Sequence, residues 1–171
     1  METHDTKKFT EIYDREADAL FRYCFFRIND REKAIDMVQD IFVELWKVLH
    51  TGEKIKRERP YLFTLAHNRV IDWYRKKKSE SLDALLENEN TARPFDYADE
   101  HAHADIIVSA EAKRVLTAIE FLDPTYRDVL YLRFAEDLSP QEIAKVIGST
   151  ASIVSVRITR GLEKLREQFD K

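Results

Sequence analysis

Leu138 to Leu165 reads LSPQEIAKVIGSTASIVSVRITRGLEKL. Ser139 followed three residues later by Glu142 has the form of a capping box, and Pro140 stands where a first helical residue has no N–H to satisfy. The short helix this opens carries Ile143, Ala144 and Ile147. Gly148 ends it as the left-handed turn residue. Ser149 or Thr150 can cap a longer helix, with Ile153, Val156, Ile158, Leu162 and Leu165 as its apolar stripe. A short helix, a glycine turn and a longer helix bearing Arg157, Arg160, Lys164 and Arg166 make a helix-turn-helix, and small Ala144 suits the close crossing. The pattern alone leaves two readings open: a helix that enters the DNA major groove, or an ordinary helical hairpin with a solvated basic face. On the first reading Ser152, Ser155 and Val156 reach base edges, and Arg157 and Arg160 mostly hold phosphates.

Working back along the chain, Asp123 caps a helix that has Pro124 at its first position and carries Val129, Leu130 and Leu132. Before it, a stripe of Ile107, Ala110, Val115, Ile119 and Leu122 begins near Asp105. Periodicity fades from Ser79 to Ala104, where Ser, Asn, Thr, Pro94 and acidic residues predict a linker with a turn at Leu82, Leu85 and Leu86. At the N-terminal end a first helix is expected from Lys7 to Ile28, with Phe9, Ile12, Tyr13, Leu20 and Tyr23 on one stripe. Asn29 and Glu32 have capping-box spacing, so a second helix starts near Asp30 and runs to Thr51 and Gly52. It carries Val38, Ile41, Phe42, Leu45 and Leu49. Pro60 fits the first turn of a third helix with Leu62, Leu65, Ala66, Val70 and Trp73, which ends in the basic cluster Arg75 to Lys78.

Composition agrees with helices joined by few turns. Among 171 residues there are 3 Gly and 4 Pro, too few for a sheet protein that turns often. Cys24 is the only cysteine, so an internal disulfide is impossible, and its apolar neighbours suit a buried, inert thiol. No run of about 18 apolar residues and no signal peptide is evident, which leaves the cytoplasm as the expected compartment. Five His show no metal spacing with Cys24, and three Gly cannot build a phosphate loop, so no metal, cofactor or small-molecule substrate is expected and the chain reads as a non-enzyme. The net charge of −4 hides a polarised chain. Residues 54–78 hold nine basic side chains against two acidic ones, and residues 80–105 hold eight acidic ones against Arg93 alone.

Two further faces have plain and functional readings. Asp36, Gln39, Asp40 and Glu44 recur at three and four on the second helix. Read alone they are a solvated face, and the functional alternative is an acidic docking strip. On the third helix Trp73 and Leu65 read as core. His67, Asn68 and the lysines are either solvated or placed to hold single-stranded DNA, with cations for phosphate and nearby aromatic faces for bases.

Four stretches together resemble one family. AIDMVQDIFVELW (Ala34 to Trp46), YLFTLAHNRVIDWYR (Tyr61 to Arg75), LDPTYRDVLYLR (Leu122 to Arg133) with LSPQEIA (Leu138 to Ala144), and VSVRITRGLEKLR (Val154 to Arg166) resemble regions two and four of the sigma-70 superfamily, in its short extracytoplasmic-function branch. The resemblance implies an all-α fold: a region-two bundle (1–78), a flexible acidic linker (79–104) and a region-four helix-turn-helix (105–171). It implies an RNA polymerase sigma factor that directs promoter-specific initiation. Asp36, Gln39, Asp40 and Glu44 would dock on the β′ coiled coil of core polymerase. Asn68 would stand near a base flipped from the −10 element, bordered by Lys54, Lys56, Arg57 and Arg59, with His67 beside it and Arg69, Arg75 and Lys76 on nearby backbone. The final helix, through Ser152, Ser155, Val156, Arg157 and Arg160, would read the −35 element while its domain sits on the β flap. The linker would thread the RNA channel, where its negative charge suits a basic groove. An anti-sigma factor is the implied inhibitory partner. Two departures stand out. Many relatives carry Lys or Arg at position 155 and Ser at 156, and many carry an aromatic residue in the loop that here runs Thr51 to Arg59.

Two rival functions predict other features. A stand-alone DNA-binding regulator calls for a dimerisation helix or effector pocket, and a small helical enzyme calls for convergent polar residues with a cofactor motif. Neither is found in the sequence.

Overall fold

The computed structural model describes residues 3–84 and 109–171, which hold seven helices and no strand. The chain divides into two units, Met1–Arg93 and Pro94–Lys171.

The first unit is a three-helix bundle of α1 (His4–Ile28), α2 (Arg31–His50) and α3 (Glu58–Ala84). Thr3 caps α1 by accepting from the Thr6 N–H. The turn into α2 uses two residues. Asn29 takes the left-handed conformation, φ 50°, and its N–H bonds the Phe25 carbonyl at 2.9 Å. Asp30, extended, accepts from the Lys33 N–H at 3.1 Å. The expected Asn29–Glu32 capping box is therefore replaced: Asn29 ends one helix, because asparagine tolerates positive φ, and Asp30 starts the next. α3 runs six residues past Lys78, so Ser79 to Ala84, including Leu82, are helix rather than linker. Helix-favouring Glu80, Leu82 and Ala84, at every second position of this stretch, carry the backbone onward. The rest of the expected linker lies outside the described residues.

The core of this unit is Ile12, Leu20, Tyr23 and Cys24 from α1, Ala34, Ile41, Phe42, Leu45 and Leu49 from α2, and Leu62, Phe63, Ala66 and Val70 from α3. Each large apolar side chain buried this way contributes about 1.5–3 kcal/mol. Two expected core residues are not core: Leu65 and Trp73 are half-buried on the flank of α3, because the buried positions 62, 63, 66 and 70 set its inward stripe.

The second unit holds α4 (Ala110–Glu120), α5 (Pro124–Phe134), α6 (Pro140–Ile147) and α7 (Ala151–Phe169). Ser109, Asp123, Ser139 and Thr150 cap them in turn. The Thr125 N–H donates to Asp123 and holds its carboxyl below the usual range. Gly148 turns the chain at φ 69° between α6 and α7. The stripe of α7 differs from the expected one. Val154 and Gly161 are buried and Ile158, Leu162 and Leu165 half-buried, whereas Ile153 (45%) and Val156 (47%) face solvent. Val154, Ile158, Gly161 and Leu165 follow the helical repeat, so one face can bury them and not Ile153 or Val156.

Gly161 lets α7 approach α5 closely. A Cβ there would lie 3.0 Å from Leu130 Cδ1 and 3.3 Å from Tyr126 Cβ. Gly161→Leu gains about 0.8 kcal/mol of helix propensity, so any net loss comes from its bulk against Leu130 and Tyr126; overpacking should still destabilise this unit by about 1–2 kcal/mol net, read as a lower denaturation midpoint. An unchanged midpoint would show that the contact can yield.

Candidate functional site

Because α2 turns Ala34, Met37, Ile41 and Leu45 inward, Asp36, Gln39 and Asp40 lie exposed on its outer side, and Glu44 is half-exposed beside α3. The four side chains share one strip, as their spacing requires. Arg69 of α3 reaches across to it. Its Nη2 lies 2.9 Å from Glu44 Oε2 and its Nη1 3.7 Å from Asp40 Oδ2. Asp40 keeps 65% of its side chain exposed. Below the strip, α2 and α3 border a groove of about 620 Å³, with Asp36 and Asp40 on one wall and Trp73, Lys76 and Lys77 on the other. Lys77 Nζ sits 4.6 Å from the centre of the Trp73 ring.

The basic residues expected around the base pocket separate into two groups. Lys54, Lys56, Arg57, Asn68, Arg75 and Lys76 are exposed. Arg75 also approaches Asp72 at 3.8 Å. Arg59, His67 and Arg69 instead face protein. Arg59 donates to Glu16, which is 2% exposed and also receives Arg15 Nε at 3.1 Å. The Arg59 guanidinium further rests 5.1 Å from the Phe63 ring centre. His67 Nδ1 lies 3.2 Å from the Tyr23 hydroxyl, which accepts from Arg27 Nη1 at 2.7 Å. The Tyr74 hydroxyl donates to the Arg27 carbonyl, closing the base of α3 onto α1.

Sequence reading missed these partners. One signal was available: Glu16 falls four residues after Ile12 and four before Leu20, so a carboxylate sits within the apolar stripe of α1 and must be paired to stay charged. Burial also pushes the Cys24 thiol up to about 12, against the opposing pull of Arg27 and Arg69, so this thiol is chemically quiet. Tyr61, beside the strip, has its phenol raised first by burial and then by the charges of Glu44 and Glu53.

In the second unit Ser152, Ser155, Val156 and Arg160 are exposed on α7, and Arg157 is half-buried. Ser152, Ser155, Val156 and Arg160 recur at three and four, so they form one outward face beginning at the N-terminal end of the helix. That end follows the Gly148 turn, as in a helix presented to a groove.

The family model for sigma-70 region 2 matches residues 12–80, and that for sigma-70 region 4 matches residues 112–165. The chain belongs to the sigma-70 family. It is an RNA polymerase sigma factor of the extracytoplasmic-function branch, which acts in promoter-specific initiation of transcription. It is 28% identical over 169 residues to the ECF RNA polymerase sigma factor SigW of Bacillus subtilis, covering 96% of this chain and 90% of the relative. It is 24% identical over 170 residues to SigX of the same organism, covering 95% and 84%. Among solved structures, the sigma factor RpoE in complex with the anti-sigma factor NepR from Bartonella quintana has the same fold, with a TM-score of 0.74 at 21% identity over 96% of this chain and 98% of that one. Sigma factors are regulatory subunits. Among the described residues no helix of this one is long and apolar enough to cross a membrane.

The inward-facing Arg59 gives a direct test of its role in this sigma factor. Arg59→Ala leaves the buried Glu16 carboxylate with one partner fewer and should cost about 1–3 kcal/mol of stability. The check is a lower denaturant midpoint at unchanged slope. A variant of wild-type stability with impaired promoter opening would instead make Arg59 a DNA contact.

Proposed function

We propose that the two units divide the work of initiation. The first unit docks on the β′ coiled coil of core polymerase through Asp36, Gln39, Asp40 and Glu44. It then holds the melted −10 strand on the exposed side of α3. Asn68 meets the flipped base, Lys54, Lys56 and Arg57 border it, and Arg75 and Lys76 hold backbone phosphates. Arg59 and His67 act from inside by fixing the loop and α3 against α1. Flipping a base costs a few kcal/mol of unstacking, which contacts to the base must offset.

The second unit sits on the β flap and reads −35 duplex through α7. Ser152, Ser155 and Val156 approach base edges, and Arg157 and Arg160 hold phosphate or guanine. Ser155 and Val156 are small, so base contacts there are short-range and the arginines carry most of the affinity. The acidic stretch between the units passes through the RNA channel, where eight carboxylates against one arginine suit a basic lining. The factor performs no catalysis itself, works in the cytoplasm beside its polymerase, and is held inactive by an anti-sigma factor that covers the same surfaces. That RpoE, of the same fold, is solved in complex with the anti-sigma factor NepR supports the existence of such a partner.

The observation that carries this reading is the exposure of two separate polar faces, one acidic on α2 and one bearing arginine on α7, each opposite a buried stripe. Run-off transcription with purified core polymerase tests it. Asp40→Ala should weaken holoenzyme assembly. Arg160→Ala should assemble normally and bind promoter about tenfold more weakly, the effect of losing one good DNA contact. Equal assembly by wild type and Asp40→Ala would remove the docking assignment.

A further inference from the structure

Arg69 belongs to α3 and sits between buried Ala66 and Val70, so its stem is packed against the bundle. Its side chain is only about a third exposed. Its Nε is shut off from solvent without a hydrogen-bond partner, while its two terminal nitrogens are aimed at Glu44 and Asp40. Reaching a phosphate would require it to leave Glu44 and present a bare carboxylate toward DNA. That is an electrostatically poor arrangement.

The pair has a second consequence. Asp40 and Glu44 are four residues apart on one helix, where like charges repel. A cation bridging them relieves that repulsion. The bridge is uneven: Glu44 is gripped at 2.9 Å, and Asp40 at 3.7 Å stays mostly exposed. We propose that Arg69 is a positioning residue of the polymerase-docking strip: it pins Glu44 to α3 and leaves Asp40 projecting as the acceptor for a basic group of the polymerase. The inference rests on the docking role of the α2 strip.

The test measures the affinity of labelled full-length chain for core polymerase, and separately the rate of promoter opening by holoenzyme formed at saturating chain. Thermal midpoints are recorded so that every affinity is taken where the variant is folded. Arg69→Gln should lower polymerase affinity roughly three- to tenfold, as expected for a coupled contact. Promoter opening by saturated holoenzyme should keep the wild-type rate. Adding Glu44→Gln to Arg69→Gln should cost little more than either change alone. Arg69→Lys, a point charge without the planar fork, should recover part of the loss. Wild-type affinity with slowed opening in Arg69→Gln would make Arg69 a DNA contact and overturn the inference. Fully additive losses in the double variant would also overturn it, as would a loss of stability with unchanged affinity per folded molecule. Asp40→Ala serves as the reference. If it weakens assembly and Arg69→Gln does not, only the role of Arg69 falls; if neither does, the docking strip itself falls.

Discussion

An amphipathic helix can bury only one stripe, and the structure of this sigma factor follows from where α2 puts that stripe. Ala34, Met37, Ile41, Phe42, Leu45 and Leu49 are buried in the bundle. The positions between them at three and four residues therefore emerge together, and here they are Asp36, Gln39, Asp40 and Glu44. Neither the core nor the acidic strip can be shifted without the other. α3 then fixes how the strip is presented, because its buried Leu62, Phe63, Ala66 and Val70 set the rotation that brings Arg69 to Glu44. An ion pair this exposed adds only about 0.2–1 kcal/mol to stability. Its value lies in arrangement rather than in holding the fold.

The same logic governs the second unit with different hardware. Side-chain caps at Ser139 and Thr150 and the left-handed Gly148 fix the lengths and the angle of α6 and α7. Gly161 allows α7 to lie close on α5, and the buried side of α7 is then narrow. The narrowness bears on the proposed −35 contact: it leaves Ile153 and Val156 outside with Ser152, Ser155 and Arg160, so the outward face mixes small, apolar and cationic groups. Such a face can meet both thymine methyls and phosphates.

The elements themselves were legible because their ends carry local chemistry. Asp123 with Pro124, Ser139 with Pro140, and Gly148 each act within a few residues, and the structure uses each as a cap or turn. Asn29 was misread by one position because an asparagine that closes one helix and an aspartate that opens the next have similar sequence signatures. Ile153 and Val156 entered the stripe wrongly because six apolar residues over thirteen positions fit more than one helical phase. The run from Ser79 to Ala84 looked like linker because its polar residues resemble those that follow, and only helix propensity distinguishes them. The partners of Arg59, His67 and Arg69 were not legible. They lie 43, 44 and 25 residues away along the chain; the place of Glu16 in the apolar stripe of α1 says that it needs a partner but not which one. Asp36, Gln39 and Asp40, by contrast, share the exposed side of α2 that their three-and-four spacing requires.

On the proposed division of labour, the charge distribution would keep the free protein off nucleic acid. The basic side of α3 and the arginines of α7 stand against an overall charge of −4, so phosphate attraction would be local and weak until polymerase brought both units to one promoter. The most direct measurement maps the 5′ ends of transcripts made from bacterial genomic DNA by core polymerase, with and without the purified chain. The account predicts a discrete set of start sites that appears only when both are present, with no stable DNA complex formed by the chain alone. Identical transcript ends with and without the chain would contradict it.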